Sequence, residues 1–272
     1  MPIQDITPLL EKIHNVDCLE FMRTLPDKCV DLVVTSPPYD NLRTYNGFIF
    51  DFEGIAKELF RITKDGGVVV WVVSDATIAG SETGTSFKQA LYFKECGFNL
   101  HDTMIWNKPN AVPLTHNRYD PCFEYMFIFS KGRPKTFNVI TEECKFKGQI
   151  RKRNLNVKSD IDKASSTRLR DEQTVVKSTK YKKNIWDFVV GVEKEEETGN
   201  HTAIFPSQLA NDHILSWSNS GDVVYDPFMG SGTVAKMALR NGRKFMGTEI
   251  SVEYCDIANK RIEAERNQLK LF

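Results

Sequence analysis

Short, continuous runs of β-branched and apolar residues alternate along this chain with stretches whose apolar positions recur every three or four residues. That alternation predicts an α/β fold built around a buried sheet. Residues 30–36, VDLVVTS, and 67–75, GVVVWVVSD, are apolar on both faces, as central parallel strands are. Between them, FEGIAKELFRITKDGG places Ile55, Leu59 and Ile62 on one helical stripe, and Gly66-Gly67 predicts its C-cap. SFKQALYFKECGF repeats the pattern and should stop at Gly97. Residues 102–108 and 123–132 read as two more strands, the second antiparallel to the rest. The polar PNAVPLTHNRYDP between them is expected to form a loop over a site.

The pattern resumes near residue 186. FPSQLANDHILSWS predicts a helix capped by Ser207, DVVYDPF a strand, TVAKMALRNG a helix and KFMGTEIS a strand. The last segment predicts a helix capped by Ser251, with Tyr254, Ile257, Ala258 and Ile262 on its inner face.

With 272 residues, 41% hydrophobic and 26% charged, the chain can bury one sizeable core. No apolar run approaches the ~18 residues of a membrane span, and the N-terminal residues lack the pattern of a secretory leader, so a cytoplasmic protein is expected. Cys18, Cys29, Cys96, Cys122, Cys144 and Cys255 form no CxxC pair, so they are expected to be buried thiols rather than disulfides or a zinc site. Five histidines show no ligand spacing either, and no metal is expected.

The net charge of zero conceals a segregation. Lys131 to Asn184 holds 16 Lys and Arg against 6 Asp and Glu, a local +10 that leaves the remainder at −10. Such a block is either a solvated loop or a surface for phosphates.

Two motifs carry the chemistry. Asp226-Pro-Phe-Met-Gly-Ser-Gly-Thr233 lies between a strand and a helix, where Gly230 and Gly232 can take positive φ and offer backbone N–H groups to a ligand. Ala235 completes a G-x-G-x-x-A pattern, and Glu249 ends the next strand, where a carboxylate can accept from ribose hydroxyls. A nucleoside site fits this arrangement; so does a nicotinamide cofactor, or a turn needed only for packing. The second motif, Thr35-Ser36-Pro37-Pro38-Tyr39, ends the strand VDLVVTS. Pro37 and Pro38 have no N–H, so the neighbouring carbonyls are free acceptors beside the Tyr39 ring, an arrangement suited to a base amine.

Together these motifs resemble those of the amino-group DNA methyltransferases, in the permuted motif order of the beta class. TSPPY comes first, the basic block second and DPFMGSGT last. The resemblance covers nearly the whole chain. It includes Asn15-Val-Asp17-Cys18, with Asn15 or Val16 where the family often has glycine, and His201-Thr-Ala-Ile-Phe205-Pro206, similar to a cofactor-wrapping segment. It implies a Rossmann-like, mostly parallel α/β sheet with one antiparallel strand, formed by residues 1–132 and 186–272. Residues 133–185 would be an inserted target-recognition region. S-adenosylmethionine is the implied cofactor, with Asp17 on its adenine, Glu249 on its ribose and Asp226, Phe228, Gly230 and Gly232 around its methionine part. Cys18, Thr35, Phe205, Ser231 and Thr233 complete that set. Ser36, Pro37, Pro38 and Tyr39 would hold a base flipped out of double-stranded DNA, while Lys145, Lys147, Arg151, Lys152 and Arg153 would meet phosphates. Ser36 favours cytosine N4 over adenine N6 in this family. A homodimer and a cognate restriction endonuclease are further partners the resemblance raises, and it implies a prokaryotic or phage origin.

Three features read as background. Cys122 after Pro121 is expected to be a packing cysteine, not a covalent nucleophile; Trp106 and Trp186 are expected in the core or at its rim. His116 to Asp120 form a polar loop that either follows the substrate or is ordinary loop. A nicotinamide-dependent oxidoreductase leaves TSPPY without a role, and a nucleic-acid-binding module without catalysis leaves both motifs idle. An RNA substrate is a nearer rival, since single strands need no flipping.

Overall fold

A computed structural model describes residues 4–38, 50–111, 117–154, 171–191 and 206–270. The chain divides into two compact units, Met1–Asn138 with Asn184–Phe272, and Val139–Lys183. The larger begins with β1 (Lys12–Asn15), α1 (Cys18–Thr24), β2 (Val30–Thr35), α2 (Phe52–Ile62) and β3 (Thr63–Val73). The short ladder β4 (Thr77–Ile78) with β5 (Ser81–Glu82) follows, then α3 (Thr85–Glu95), β6 (Asn99–Asn107) and β7 (Phe123–Ser130). The smaller unit holds β8 (Thr141–Glu143), β9 (Ile150–Asn154), β10 (Asp171–Val175) and β11 (Thr179–Tyr181). The larger unit resumes with β12 (Ile185–Asp187), α4 (Ser207–Trp217), β13 (Val223–Asp226), α5 (Thr233–Arg240), β14 (Lys244–Glu249) and α6 (Val252–Leu269).

Eight strands form one sheet in the order β1-β14-β13-β2-β3-β7-β6-β12. Every neighbouring pair is parallel except those made by β7, which runs against β3 and β6. The expected α/β class, with one antiparallel strand near FEYMFIFS, is what is found. Trp71, fully buried on β3, anchors the core against Phe52 and Phe93, and its indole N–H is satisfied by Gln89 Oε1 at 2.8 Å.

Two helix ends depart from expectation. α2 stops at Ile62 rather than at Gly66-Gly67. The Thr63 hydroxyl donates to Leu59 O at 2.6 Å, and Lys131 Nζ donates to Phe60 O at 2.6 Å and Thr63 O at 3.0 Å, so the terminal carbonyls are capped from outside. The glycines belong instead to a bulge in β3: the register steps from Val30↔Thr63 to Leu32↔Val68, and Gly66 takes φ +81° while its N–H bonds Lys131 O. At α4 the N-cap is Pro206, not Ser207, which is the first helical residue. By contrast α3 ends as the sequence implies: Gly97 at φ +108° closes a Schellman pair, Phe98 N to Phe93 O and Gly97 N to Lys94 O. Ser251 caps α6 by accepting from Tyr254 N at 3.3 Å. The buried face of α6 is Cys255, Ala258, Arg261, Ile262 and Glu265, with Tyr254 and Ile257 at its half-buried margin. Cys18, Cys29 and Cys255 are buried, but Cys96 and Cys144 are only partly so and Cys122 is exposed; the thiol expected to pack does not, because it precedes β7 in the loop from β6.

The chain leaves and re-enters the larger unit at fixed points. Asn138 Nδ2 donates to Leu215 O and Ser218 O at the end of α4, while its own N–H bonds Ser216 O at 2.8 Å. On return, β12 pairs in parallel with β6, Asn107 Nδ2 donates to Asp187 Oδ1 at 2.8 Å, and Trp106 Nε1 donates to Phe188 O at 2.9 Å. Trp106 and Trp186 are both buried, as core aromatics.

The smaller unit is a two-stranded ribbon. β8 pairs antiparallel with β11 and β9 with β10. Between the two ladders, Cys144 N bonds Ser178 O, Gly148 N bonds Val176 O and Val176 N bonds Gln149 O, so the pairing carries on past a wide bulge around residues 144–148.

Candidate active site

Both motifs fall at the carboxyl ends of adjacent strands. β2 connects onward to β3 on one side and β13 to β14 on the other, so the β2–β13 boundary is the point where strand order reverses. Crevices at such a boundary, beyond the carboxyl ends of the strands, are where open α/β sheets bind ligands. Ser36, Pro37 and Pro38 leave β2 there, with Pro37 buried and the other two half-buried. Asp226 is the last residue of β13, and Asn15 and Glu249 end β1 and β14 as direct partners.

The two motifs are joined by a buried hydrogen bond. Thr35 Oγ1 donates to Asp226 Oδ1 at 2.6 Å, and Phe228 N donates to the same oxygen at 3.0 Å. Burial pushes the Asp226 carboxyl up to about 7; these two donors oppose the rise and nearby Glu249 adds to it. A carboxyl poised there changes charge near neutral pH.

The glycine turn is held rigid from within. Met229 N donates to Thr248 O at 2.9 Å, Gly230 N to Glu249 Oε2 at 2.8 Å and Gly232 N to Met229 O at 2.9 Å. Gly230 and Gly232 take the expected positive φ, +51° and +83°. At Gly232 a Cβ would meet Ala258 Cβ at 2.8 Å, so the glycine also lets α6 approach closely. Arg261, 2% exposed, donates through Nη1 to Ser231 O at 2.6 Å and Ser231 Oγ at 2.9 Å, and reaches Thr233 Oγ1 at 3.3 Å.

This corrects one sequence expectation. The glycine pattern predicts a turn presenting free N–H groups to a negative ligand, yet those of Phe228, Met229, Gly230 and Gly232 are bound within the protein, two of them to carboxylate oxygens. A pyrophosphate would meet Asp226 and Glu249 where a dinucleotide fold presents bare amides, so the nicotinamide alternative loses its physical basis. Acidic ends on β13 and β14 fit a ligand bearing positive charge and hydroxyl groups, as S-adenosylmethionine does. Glu249 is 9% exposed and also accepts from Ser251 N at 2.8 Å, which orients its carboxylate.

Asp17 is the N-cap of α1, its Oδ1 accepting from Leu19 N at 2.9 Å and Glu20 N at 3.0 Å. Cys18 follows it, buried, with its thiol pushed up by burial and by Asp17, and so kept from being a thiolate. Thr35, Ser231 and Thr233 are buried and Phe228 packs edge-on against Phe50 at 5.7 Å, all beside the β2–β13 boundary. Tyr39 and Phe205, like His116 and residues 201–204, lie outside the described residues. Lys145 and Lys147 are exposed on the ribbon, and the backbone of Arg151, Lys152 and Arg153 forms part of β9. Sequence reasoning missed Arg261; its signal was a charged residue three positions after Ala258 on the inner stripe of α6. Among the described residues no group of three or more His, Cys, Asp or Glu side chains could hold a metal ion, and no helix is long and apolar enough to cross a membrane.

Comparison with known proteins addresses the family and the fold. A family model described as DNA methylase matches residues 30–260. The chain is 55% identical over 241 residues to the orphan methyltransferase M.BamHII of Bacillus amyloliquefaciens, covering 87% of this chain and 90% of that one. It is 26% identical to the type II methyltransferase M.SmaI of Serratia marcescens, over 94% of this chain and 91% of the other. Among solved structures, the putative DNA modification methylase TTHA0409 of Thermus thermophilus, complexed with S-adenosyl-L-methionine, superposes with a TM-score of 0.62 at 26% identity, covering 93% and 95% of the two chains. The PvuII DNA methyltransferase, cytosine-N4-specific, shares the fold with a TM-score of 0.67 at 20% identity, over 94% and 92%.

Proposed function

Because the chain belongs to the DNA methylase family, whose members transfer methyl from S-adenosylmethionine to an amino group of a DNA base, we propose that its target is the N4 amine of cytosine. The observation that carries the reading is Ser36-Pro37-Pro38 at the end of β2, tied through Thr35 to Asp226 at the end of β13. Serine before the two prolines is what favours cytosine over adenine N6.

The chain's own residues have four tasks in this reading. Asp17, Glu249 and Asp226 hold the cofactor by its adenine, ribose and methionine parts, with Cys18, Phe205, Phe228 and the 230–233 turn shaping the walls. Ser36 and the Pro37 carbonyl accept hydrogen bonds from the exocyclic amine, which draws its lone pair out of conjugation with the ring, while Tyr39 stacks on the base. The unstacking cost of a few kcal/mol is offset by those contacts. Lys145, Lys147, Arg151, Lys152 and Arg153 neutralise phosphates from the 139–183 unit, which serves as target-recognition region. The bound cofactor supplies a sulfonium-activated methyl group, so no protein nucleophile is needed and positioning dominates. The amine's proton passes to solvent after transfer.

We extend the reading to a cytoplasmic enzyme acting on double-stranded DNA, with a homodimer and a cognate endonuclease as its expected company. Incubation with S-adenosylmethionine and mixed-sequence duplex, nucleoside digestion and mass spectrometry test it, with Ser36→Ala and Tyr39→Ala as controls. N4-methylcytosine is expected; N6-methyladenine overturns the base assignment, and methylation of RNA in preference to duplex overturns the substrate. Sedimentation of the purified chain reads the dimer.

A further inference from the structure

Beside the Ser36-Pro37-Pro38 exit, the neighbouring strand runs into a hairpin that holds one isoleucine out in water. β2 and β3 are parallel with Thr35 opposite Trp71, and counting on in that register sets Pro38 beside Ser74. Asp75 follows, and its carboxylate accepts from Ser86 N at 2.8 Å, Ser86 Oγ at 2.5 Å and Thr83 Oγ1 at 3.3 Å. Thr83 N bonds Ala76 O at 3.0 Å, which closes the base of the β4–β5 ladder. Ile78 and Ser81 are the last pair before a two-residue turn, Ala79-Gly80, in which both residues take positive φ, +49° and +81°. Such a turn matches the twist of a hairpin, yet the left-handed region is costly for a residue with a Cβ, so Ala79 carries strain at an exposed tip. From the loop before β7, Arg118 Nη2 donates to Gly80 O, and its Nη1 lies 3.9 Å from Glu82 Oε1. Ile78 is 59% exposed. An exposed isoleucine alone is ordinary. Here a tight turn, a carboxylate at the base and a guanidinium at the tip fix its position without burying it, which is what a contact for a partner requires.

We propose that Ile78 is a wedge: when the target base turns out toward Ser36-Pro37-Pro38, the isoleucine enters the duplex at the vacated step and keeps the orphaned partner base in its stack. The residue type fits, since apolar side chains such as isoleucine are the ones that enter between base steps and hold them apart. The geometry fits as well. Strands lie ~4.8 Å apart, and three residues from Ala76 reach at most about 10 Å to Ala79, so the tip stands off the same edge of the sheet as Ser36-Pro37-Pro38, one strand to the side. A flipped base keeps its place in the sugar-phosphate chain, so the gap it leaves adjoins the pocket that receives it. Stiffness serves insertion, because a tip ordered beforehand loses little freedom on entering the stack. The proposal rests on the duplex-DNA reading above and deepens it by naming the side chain that stabilises the extrahelical state.

The test compares full-length wild type, Ile78→Ala and Ile78→Leu on short duplexes containing the sequence the enzyme marks. On the fully paired duplex Ile78→Ala is expected to lose about 10–100-fold in kcat/KM, and Ile78→Leu, which restores branched bulk, about threefold or less. On the same duplex with an abasic site opposite the target base, where turning the base out breaks no pair, the Ile78→Ala loss is expected to shrink below about threefold. With 2-aminopurine at the target position, saturating wild type is expected to raise the fluorescence as the base unstacks, and Ile78→Ala to give a much smaller rise. A loss of equal size on both duplexes, no loss on either, or an unchanged fluorescence rise overturns the wedge while duplex methylation stands. If the wild type leaves the paired duplex unmethylated, the proposed function fails and the wedge with it.

Discussion

Thr35 and Asp226, 191 residues apart in sequence, share a 2.6 Å hydrogen bond in the interior at the point where the strand order reverses. It makes the Thr35–Pro38 and Asp226–Thr233 motifs parts of one rigid object. Thr35→Val keeps the shape and removes the donor. We expect a loss of about 1–3 kcal/mol in urea unfolding and a further rise in the Asp226 carboxyl. A variant as stable as the wild type would mean the bond contributes nothing beyond packing.

Asp226 should make cofactor binding pH-dependent. Its carboxyl titrates at about 7, and the ionised form attracts a cationic ligand. Affinity for S-adenosylmethionine should therefore fall by up to about tenfold for each unit below that value and level off above it. Asp226→Asn should bind weakly and without that slope. Calorimetric titration between pH 5.5 and 8.5 checks this, and a flat wild-type profile would sink it.

The same carboxyl affects folding with the opposite sign. Its folded-state value lies above the ordinary 3.8, so the folded form holds a proton that the unfolded chain releases. Its contribution favours folding at low pH and is lost, at roughly 1.4 kcal/mol per unit, as pH rises from about 4 through about 7. The stability difference between wild type and Asp226→Asn, followed across that window, should drift in favour of the variant as pH rises.

Arg261 braces the glycine turn through Ser231 and Thr233. Arg261→Met keeps the bulk and leaves Ser231 O short of a donor in the interior, at a cost of about 2–3 kcal/mol. The expected signature is a weaker cofactor KM with kcat little changed, and partial rescue by Arg261→Lys. Loss of kcat with an unaltered KM would place its effect elsewhere.

Gly232→Ala separates two costs. The φ of +83° disfavours alanine by about 1 kcal/mol, and the 2.8 Å approach to Ala258 Cβ adds overpacking of about 1–3 kcal/mol. Adding Ala258→Gly should recover only part of the second cost, since Ala258 Cα at 3.1 Å stays in place and a glycine inside α6 costs about 1 kcal/mol, and none of the first. Full recovery in thermal unfolding would show that only crowding mattered.

The sheet strands were legible because central parallel strands are apolar on both faces, as Val68–Val73 are, and the two motifs could be placed because each follows such a run. What escaped was set by distant partners. Gly66-Gly67 imitates a helix stop, but Lys131, some seventy residues on, caps α2 first and leaves the glycines to a bulge. The glycine turn looked like an anion cradle because its sequence does not say that Glu249 takes the Gly230 amide. The edge strands β1 and β12, with three or four residues each, are too short for any periodicity to show.

Both ends of the ribbon-bearing excursion are clamped, Asn138 to the end of α4 and Asp187 to Asn107 beside β6. A segment fastened at its two ends can change length cheaply, since loop closure costs about 0.6 kcal/mol per doubling. On the target-recognition role proposed for the 139–183 unit, selection can rewrite which sequences are marked while leaving the chemistry of marking untouched, and grafting a relative's segment between Asn138 and Asn184 is the laboratory version of that drift.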